Sequence, residues 1–88
     1  MPPMRHARSQ ALDDLEPLLG ALRSVSGLRE KRRGVFYRGG TAFLHFHEDP
    51  AGLFADVRLN TDFERLPVTT EPERDALVRR VRGALNAD

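Results

Sequence analysis

The run Val35-Phe36-Tyr37-Arg38-Gly39-Gly40-Thr41-Ala42-Phe43-Leu44-His45-Phe46-His47-Glu48-Asp49-Pro50-Ala51-Gly52-Leu53-Phe54-Ala55-Asp56-Val57-Arg58-Leu59 decides how this chain folds. Three apolar stretches are separated by two groups of turn residues, which is the pattern of an antiparallel meander. Gly39-Gly40 is a two-residue hairpin signal, because both glycines accept positive φ. If it closes the first hairpin, Arg38 faces Thr41, Tyr37 faces Ala42, Phe36 faces Phe43 and Val35 faces Leu44. If Asp49 to Gly52 close the second, His47 faces Phe54, Phe46 faces Ala55, His45 faces Asp56, Leu44 faces Val57 and Phe43 faces Arg58. Directly opposed residues share a face of the sheet. One face is then Val35, Tyr37, Ala42, Leu44, Phe46, Leu53, Ala55, Val57 and Leu59, almost wholly apolar. The other is mixed: Phe36, Arg38, Phe43, His45, His47, Phe54, Asp56 and Arg58.

Upstream, Leu12, Leu15, Leu18, Leu19, Leu22 and Val25 recur at helical spacing. Asp13 and Glu16 have the spacing of a capping box, and Pro17 is tolerated only near a first turn, so the firm helix is expected from Asp13 or Asp14, with Gly27 as its stop. Leu28 to Arg33 reads as a charged connector or an edge strand. Downstream, residues 63–69 could add a fourth strand, which Pro67 confines to an edge. Thr70, Pro72 and Glu73 open a C-terminal helix whose buried stripe is Leu77, Val78, Val81, Ala84 and Leu85. The expected fold is α+β: an N-terminal helix, a three-stranded antiparallel meander with a possible fourth edge strand, and a C-terminal helix, both helices packed on one face of the sheet. Residues 1–9 read as a disordered leader and 10–88 as a single domain.

With 88 residues, one domain with a modest core is the default. The absence of cysteine excludes a disulfide framework, a thiolate zinc site and a cysteine nucleophile, and fits a cytoplasmic protein. No apolar run approaches the roughly 18–20 residues that cross a bilayer, and the N-terminus lacks a signal-peptide core, so no membrane partner is expected. The formal net charge of +1 is too balanced for a polyanion binder judged on bulk charge. Lys31 is the only lysine beside many arginines, a skew that GC-rich codon usage would give, although arginine also suits phosphate and stacking contacts.

The mixed face is the candidate working surface. It could be covered and structural, it could be a protein interface, most simply a homodimer, or its rings and arginines could stack bases and hold phosphates. His45 and His47 point the same way on a strand, with Asp56 opposite His45. Two imidazoles and a carboxylate can hold zinc or non-haem iron, but no third histidine falls nearby, since His6 lies in the leader. Pairing with Asp56 should favour the protonated form of His45. The basic patch Arg29, Lys31, Arg32 and Arg33 can grip phosphates or can simply be a solvated edge that blocks aggregation. No phosphate loop or nucleophile elbow is present, so no catalytic residue and no cofactor is assigned.

The runs Leu22-Arg23-Ser24-Val25-Ser26-Gly27-Leu28-Arg29-Glu30 and Val35-Phe36-Tyr37-Arg38-Gly39-Gly40-Thr41-Ala42-Phe43 carry a resemblance to the MmcQ/YjbR-like family between residues 21 and 48. The chain departs from that family's pattern in being shorter and in having no tryptophan. The resemblance implies an α+β fold in a largely uncharacterised family with a proposed DNA-binding role, and carries over no catalytic residue. The reading that results is a small non-enzymatic interaction module that could self-associate through the mixed face. A nucleic-acid-binding protein using Phe36, Phe43, Phe54, Arg38 and Arg58 is the alternative, followed by a small metal-dependent enzyme at His45, His47 and Asp56.

Overall fold

The structure, a computed structural model, describes residues 5–86. It is α+β, with one antiparallel sheet and three helices. The chain runs β1 (Arg5–His6), α1 (Ser9–Asp14), α2 (Glu16–Arg23), β2 (Leu28–Arg32), β3 (Val35–Arg38), β4 (Thr41–Asp49), β5 (Gly52–Val57), β6 (Glu64–Pro67) and α3 (Glu71–Asn86). Strands β2 to β6 lie side by side in sequence order, and β1 pairs with β4.

The second hairpin matches the expected register from Leu44 onward: Leu44 pairs with Val57, His45 with Asp56, Phe46 with Ala55 and His47 with Phe54. Phe43 and Arg58 do not share the mixed face as expected, because Phe43 is buried in the core. The first departs from it. Arg38 still pairs with Thr41 and Tyr37 with Ala42, but Phe36 pairs with Leu44 because a bulge intervenes. The extra residue on β4 is Phe43. A bulge sets two residues of one strand against one of the other, and here both Phe43 and Leu44 are buried in the core. Strand β3 is thereby turned over relative to expectation. Phe36 becomes a core residue with no exposed surface, and Val35 and Tyr37 move to the opposite face, where they are only partly buried.

The core is one cluster. Leu15, Leu18, Leu19, Leu22 and Val25 of the first helical region and Leu77 and Val81 of α3 meet Phe36, Phe43, Leu44, Phe46, Ala55, Val57 and Val68 from the sheet and its margin. The N-terminal helix starts earlier than the Asp13–Glu16 spacing suggests, at Ser9, and breaks at Leu15. Pro17 occupies the first turn of α2, where its missing N–H costs nothing. Asp13 and Glu16 do not cap. They receive the guanidinium of Arg33 at 2.8 and 2.7 Å, and Arg23 joins Glu16 to Glu30 of β2. Gly27 turns the chain with φ +97°, a conformation that favours glycine, and a Cβ there would lie 2.8 Å from Leu85 Cδ2, which would have to shift.

Residues Arg5 to Ser9 are not leader. Strand β4 is nine residues long and β3 only four, so the far half of its free edge is open, and Arg5 and His6 pair there with Glu48 and His47. Unpaired edge groups are thereby satisfied. Residues 1–4 of the expected leader lie outside the described residues. Glu64–Pro67 is the additional edge strand, paired with β5, and Pro67 sits at the edge where no N–H is needed. The expected capping box of α3 forms: Glu73 Oε1 accepts from the Thr70 N–H at 2.9 Å, and Thr70 Oγ1 accepts from the Glu73 N–H at 3.4 Å. The guanidinium of Arg74 donates to the Val68 carbonyl at 2.7 Å and to Asp14 Oδ2 at 3.1 Å, which ties α3 to the end of α1.

Phe36→Ala therefore should cost about 3–5 kcal/mol of stability, whereas Phe54→Ala, at a partly buried position, should cost clearly less. Urea unfolding of both variants checks this. Equal losses would place Phe36 outside the core.

Candidate functional site

Pairing across β4, β5 and β6 generates two rows on the sheet face opposite the core residues. One row is His6, His47, Phe54 and Pro67; the other is His45, Asp56 and Arg65. Leu44, Phe46, Ala55 and Val57 alternate with these residues and point into the core. Asp56 is the hub. Arg65 donates to both of its oxygens, Nε to Oδ1 at 2.7 Å and a terminal nitrogen to Oδ2 at 2.8 Å. Two imidazoles converge on the same carboxylate, with His47 Nε2 3.0 Å and His45 Nε2 3.6 Å from Oδ2. The His47 approach lacks hydrogen-bond alignment, so His47 Nε2 is buried without a partner. Side-chain exposure is 12% at His47, 14% at Asp56 and 24% at His45, which makes this a half-dry cluster on the sheet face.

His6 stacks on His47 with ring centres 4.8 Å apart and lies 5.7 Å from His45. Phe63 meets the other side of His45 edge-on at 5.3 Å, and the guanidinium of Arg58 lies 4.5 Å over the Phe63 ring. Phe63 is an exposed large apolar side chain. Further along the same face, Lys31 Nζ stands 4.3 Å over the ring of Tyr37, which pairs with Arg29.

The electrostatics invert the expectation for His45. Burial pushes its pKa below the ordinary 6.5, the neighbouring His47 lowers it further, and Asp56 opposes without prevailing. His47 is lowered too, first by burial, again against Asp56. The carboxyl of Asp56 is held below its usual range chiefly by the Arg65 hydrogen bonds. Arg65 has thus taken the charge-pairing role that the sequence assigned to histidine, and desolvation keeps the imidazoles neutral at neutral pH.

The structure brings together His45, His47, Phe54, Asp56 and Arg58 as expected. It removes Phe36 and Phe43 to the core, where they present no ring to a ligand, and sets exposed Arg38 beside Leu28 and Thr41 on the helix side of the sheet. Of the basic patch, Arg33 is tied to α1 and α2, Lys31 rests on Tyr37, and Arg29 and Arg32 are exposed on the edge strand. His6, Phe63 and Arg65 are the additions. The signal for Arg65 lay in its pairing with Asp56, which becomes readable only once residues 64–67 are set against β5. No protein-family model, no curated protein and no solved structure matches this chain.

Because the folded-state pKa values of His45 and His47 lie below the unfolded value, the unfolded chain binds more protons between the two. Stability is therefore full above about pH 6.5 and falls as pH drops through that value toward the folded-state ones. NMR titration should place both imidazoles below 6.5, and unfolding across pH 7 to 5 should show a loss that a His45→Gln/His47→Gln variant largely lacks. Unshifted titrations would contradict the burial argument.

Proposed function

We propose that this protein is a non-enzymatic interaction module whose working surface is the open face of the sheet, and that its partner is single-stranded nucleic acid. The observation that carries this reading is the pair of basic–aromatic stacks on that face, Lys31 on Tyr37 and Arg58 on Phe63. Rings mounted on a sheet stack bases without regard to sequence, and adjacent guanidinium and ammonium groups hold the phosphates. Arg29 and Arg65 add positive charge, and the carboxylate of Asp56 is already engaged by Arg65. Asp13, Glu16, Glu30 and Glu64 are paired with Arg23, Arg33 and Arg80. The resemblance to MmcQ/YjbR-like proteins, for which DNA binding is proposed, points the same way. A homodimer through this face is the weaker reading, since a two-fold axis would oppose these basic groups to their own copies.

Fluorescence anisotropy with labelled single-stranded DNA and RNA of about a dozen nucleotides tests this. Binding should weaken with salt, with a slope reduced by about 0.7 when Lys31→Gln removes one phosphate contact. Phe63→Ala should cost about 1–3 kcal/mol, a loss of about 5- to 150-fold, while Arg38→Ala should leave binding unchanged. Absence of salt-dependent binding, or indifference to Phe63→Ala, overturns the proposal. A concentration-dependent dimer in sedimentation that Phe63→Ala dissolves would favour self-association instead.

A further inference from the structure

We propose that His45, His47 and Asp56 form a binding site for a transition-metal dication of the zinc and cobalt class. The proposal is independent of nucleic-acid binding and rests on ligand geometry. One donor atom from each of the three residues lies within 4.8 Å of the others. Metal–nitrogen and metal–oxygen bonds of about 2.0–2.2 Å at tetrahedral angles set neighbouring donors about 3.3 Å apart. The two histidine–carboxylate separations, 3.0 and 3.6 Å, bracket that value. Only the distance between the two imidazole nitrogens has to contract, and both sit on one strand as i and i+2, so a small side-chain rotation closes it.

A second observation points to a cation. His47 Nε2 is buried with no hydrogen-bond partner, although it lies beside a carboxylate oxygen. Buried polar atoms are nearly always satisfied, and an unpartnered imidazole nitrogen beside a carboxylate oxygen is suited to share a cation with it. A metal between His47 Nε2 and Asp56 Oδ2 would satisfy it without a proton. The donor set, two imidazoles and one carboxylate, suits zinc, cobalt and iron(II) rather than magnesium or calcium, and three protein ligands leave a fourth position open.

Arg65 is compatible with the site. A carboxylate has about four lone-pair sites, and Arg65 takes one on each oxygen, so Oδ2 keeps one for the metal. In that arrangement Arg65 orients the ligating carboxylate, the usual office of a partner one layer out from a metal. The proximity of two cations limits affinity, and the guanidinium, half exposed, can swing outward.

The test uses the full chain without a histidine tag, freed of metal by chelation. Zinc titration by calorimetry and cobalt titration by visible absorption should each give one equivalent per chain, with the intense absorption of tetrahedral cobalt and a raised thermal midpoint. His45→Ala/His47→Ala should abolish the cobalt spectrum. If that variant does not fold, His47→Gln and Asp56→Asn, made singly, should each weaken zinc binding tenfold or more. Failure of the folded wild-type protein to take up either metal, or unchanged affinity in a folded double variant or in both single variants, overturns the site.

Discussion

Backbone pairing between β4 and β5 is the constraint on which the remainder of the structure depends. Six consecutive residues of β4 face six of β5 without interruption. Side chains alternate across a strand with period two, so this ladder commits Leu44, Phe46, Ala55 and Val57 to one face and His45, His47, Phe54 and Asp56 to the other. A one-residue slip would drive the histidines and Asp56 into the cluster formed by Leu15, Leu19, Leu22, Leu77 and Val81 and leave four apolar side chains in water. Both halves of that exchange are unfavourable, because burying an unpaired charge and exposing apolar surface each cost free energy. The hydrophobic core and the polar cluster are therefore two consequences of one register.

That register was legible because the second hairpin contains its own check. On β4 His45 and His47 alternate with Leu44 and Phe46, and on β5 Asp56 stands between Ala55 and Val57, so only one phase keeps the ionisable groups out of the core. The first hairpin has no such check. Val35, Phe36 and Tyr37 are all apolar, as are Ala42, Phe43 and Leu44, so either phase of β3 looks acceptable in the sequence. The bulge at Phe43 chooses between them, and it can do so because two consecutive apolar residues on β4 are both buried. Arg38 was misplaced for the same reason. Strand β1 was illegible on other grounds: two residues carry no periodicity, and Arg5 and His6 find their place only because β4 outruns β3. The edge strand at 64–67 was legible as an element, but its register was not, since the Asn60–Asp62 turn does not fix which residue meets Asp56.

The polar cluster shows how a local order of interactions is settled by competition for one carboxylate. In water an aspartate beside two histidines would favour their protonation. Here Arg65, permanently charged, approaches Asp56 from the edge strand with two hydrogen bonds in the geometry that guanidinium and carboxylate share. Once Asp56 is paired, a second and third positive charge in a half-dry site gain little from it and repel Arg65 and each other. Desolvation then decides, and the imidazoles are kept neutral. Neutral imidazole retains a lone pair on one ring nitrogen, the form in which histidine accepts a hydrogen bond or a metal.

Strand β1 closes this cluster on one side, and it is the least firmly held element that does so. Its attachment consists of two residue pairs, the Ala7 N–H donating to the Phe46 carbonyl at 3.0 Å, and contacts of Arg5 and the Arg8 N–H with Glu48. No residue of β1 belongs to the buried core. Local opening free energies scale with the buried contacts and hydrogen bonds that must be given up, so β1 detaches far more readily than β4 or β5. His47 and Asp56 stay fixed by the sheet when it does, while His6 leaves the stack and uncovers the His47 ring. The cluster thus combines a rigid floor, set by the β4–β5 ladder, with one wall that opens at small cost.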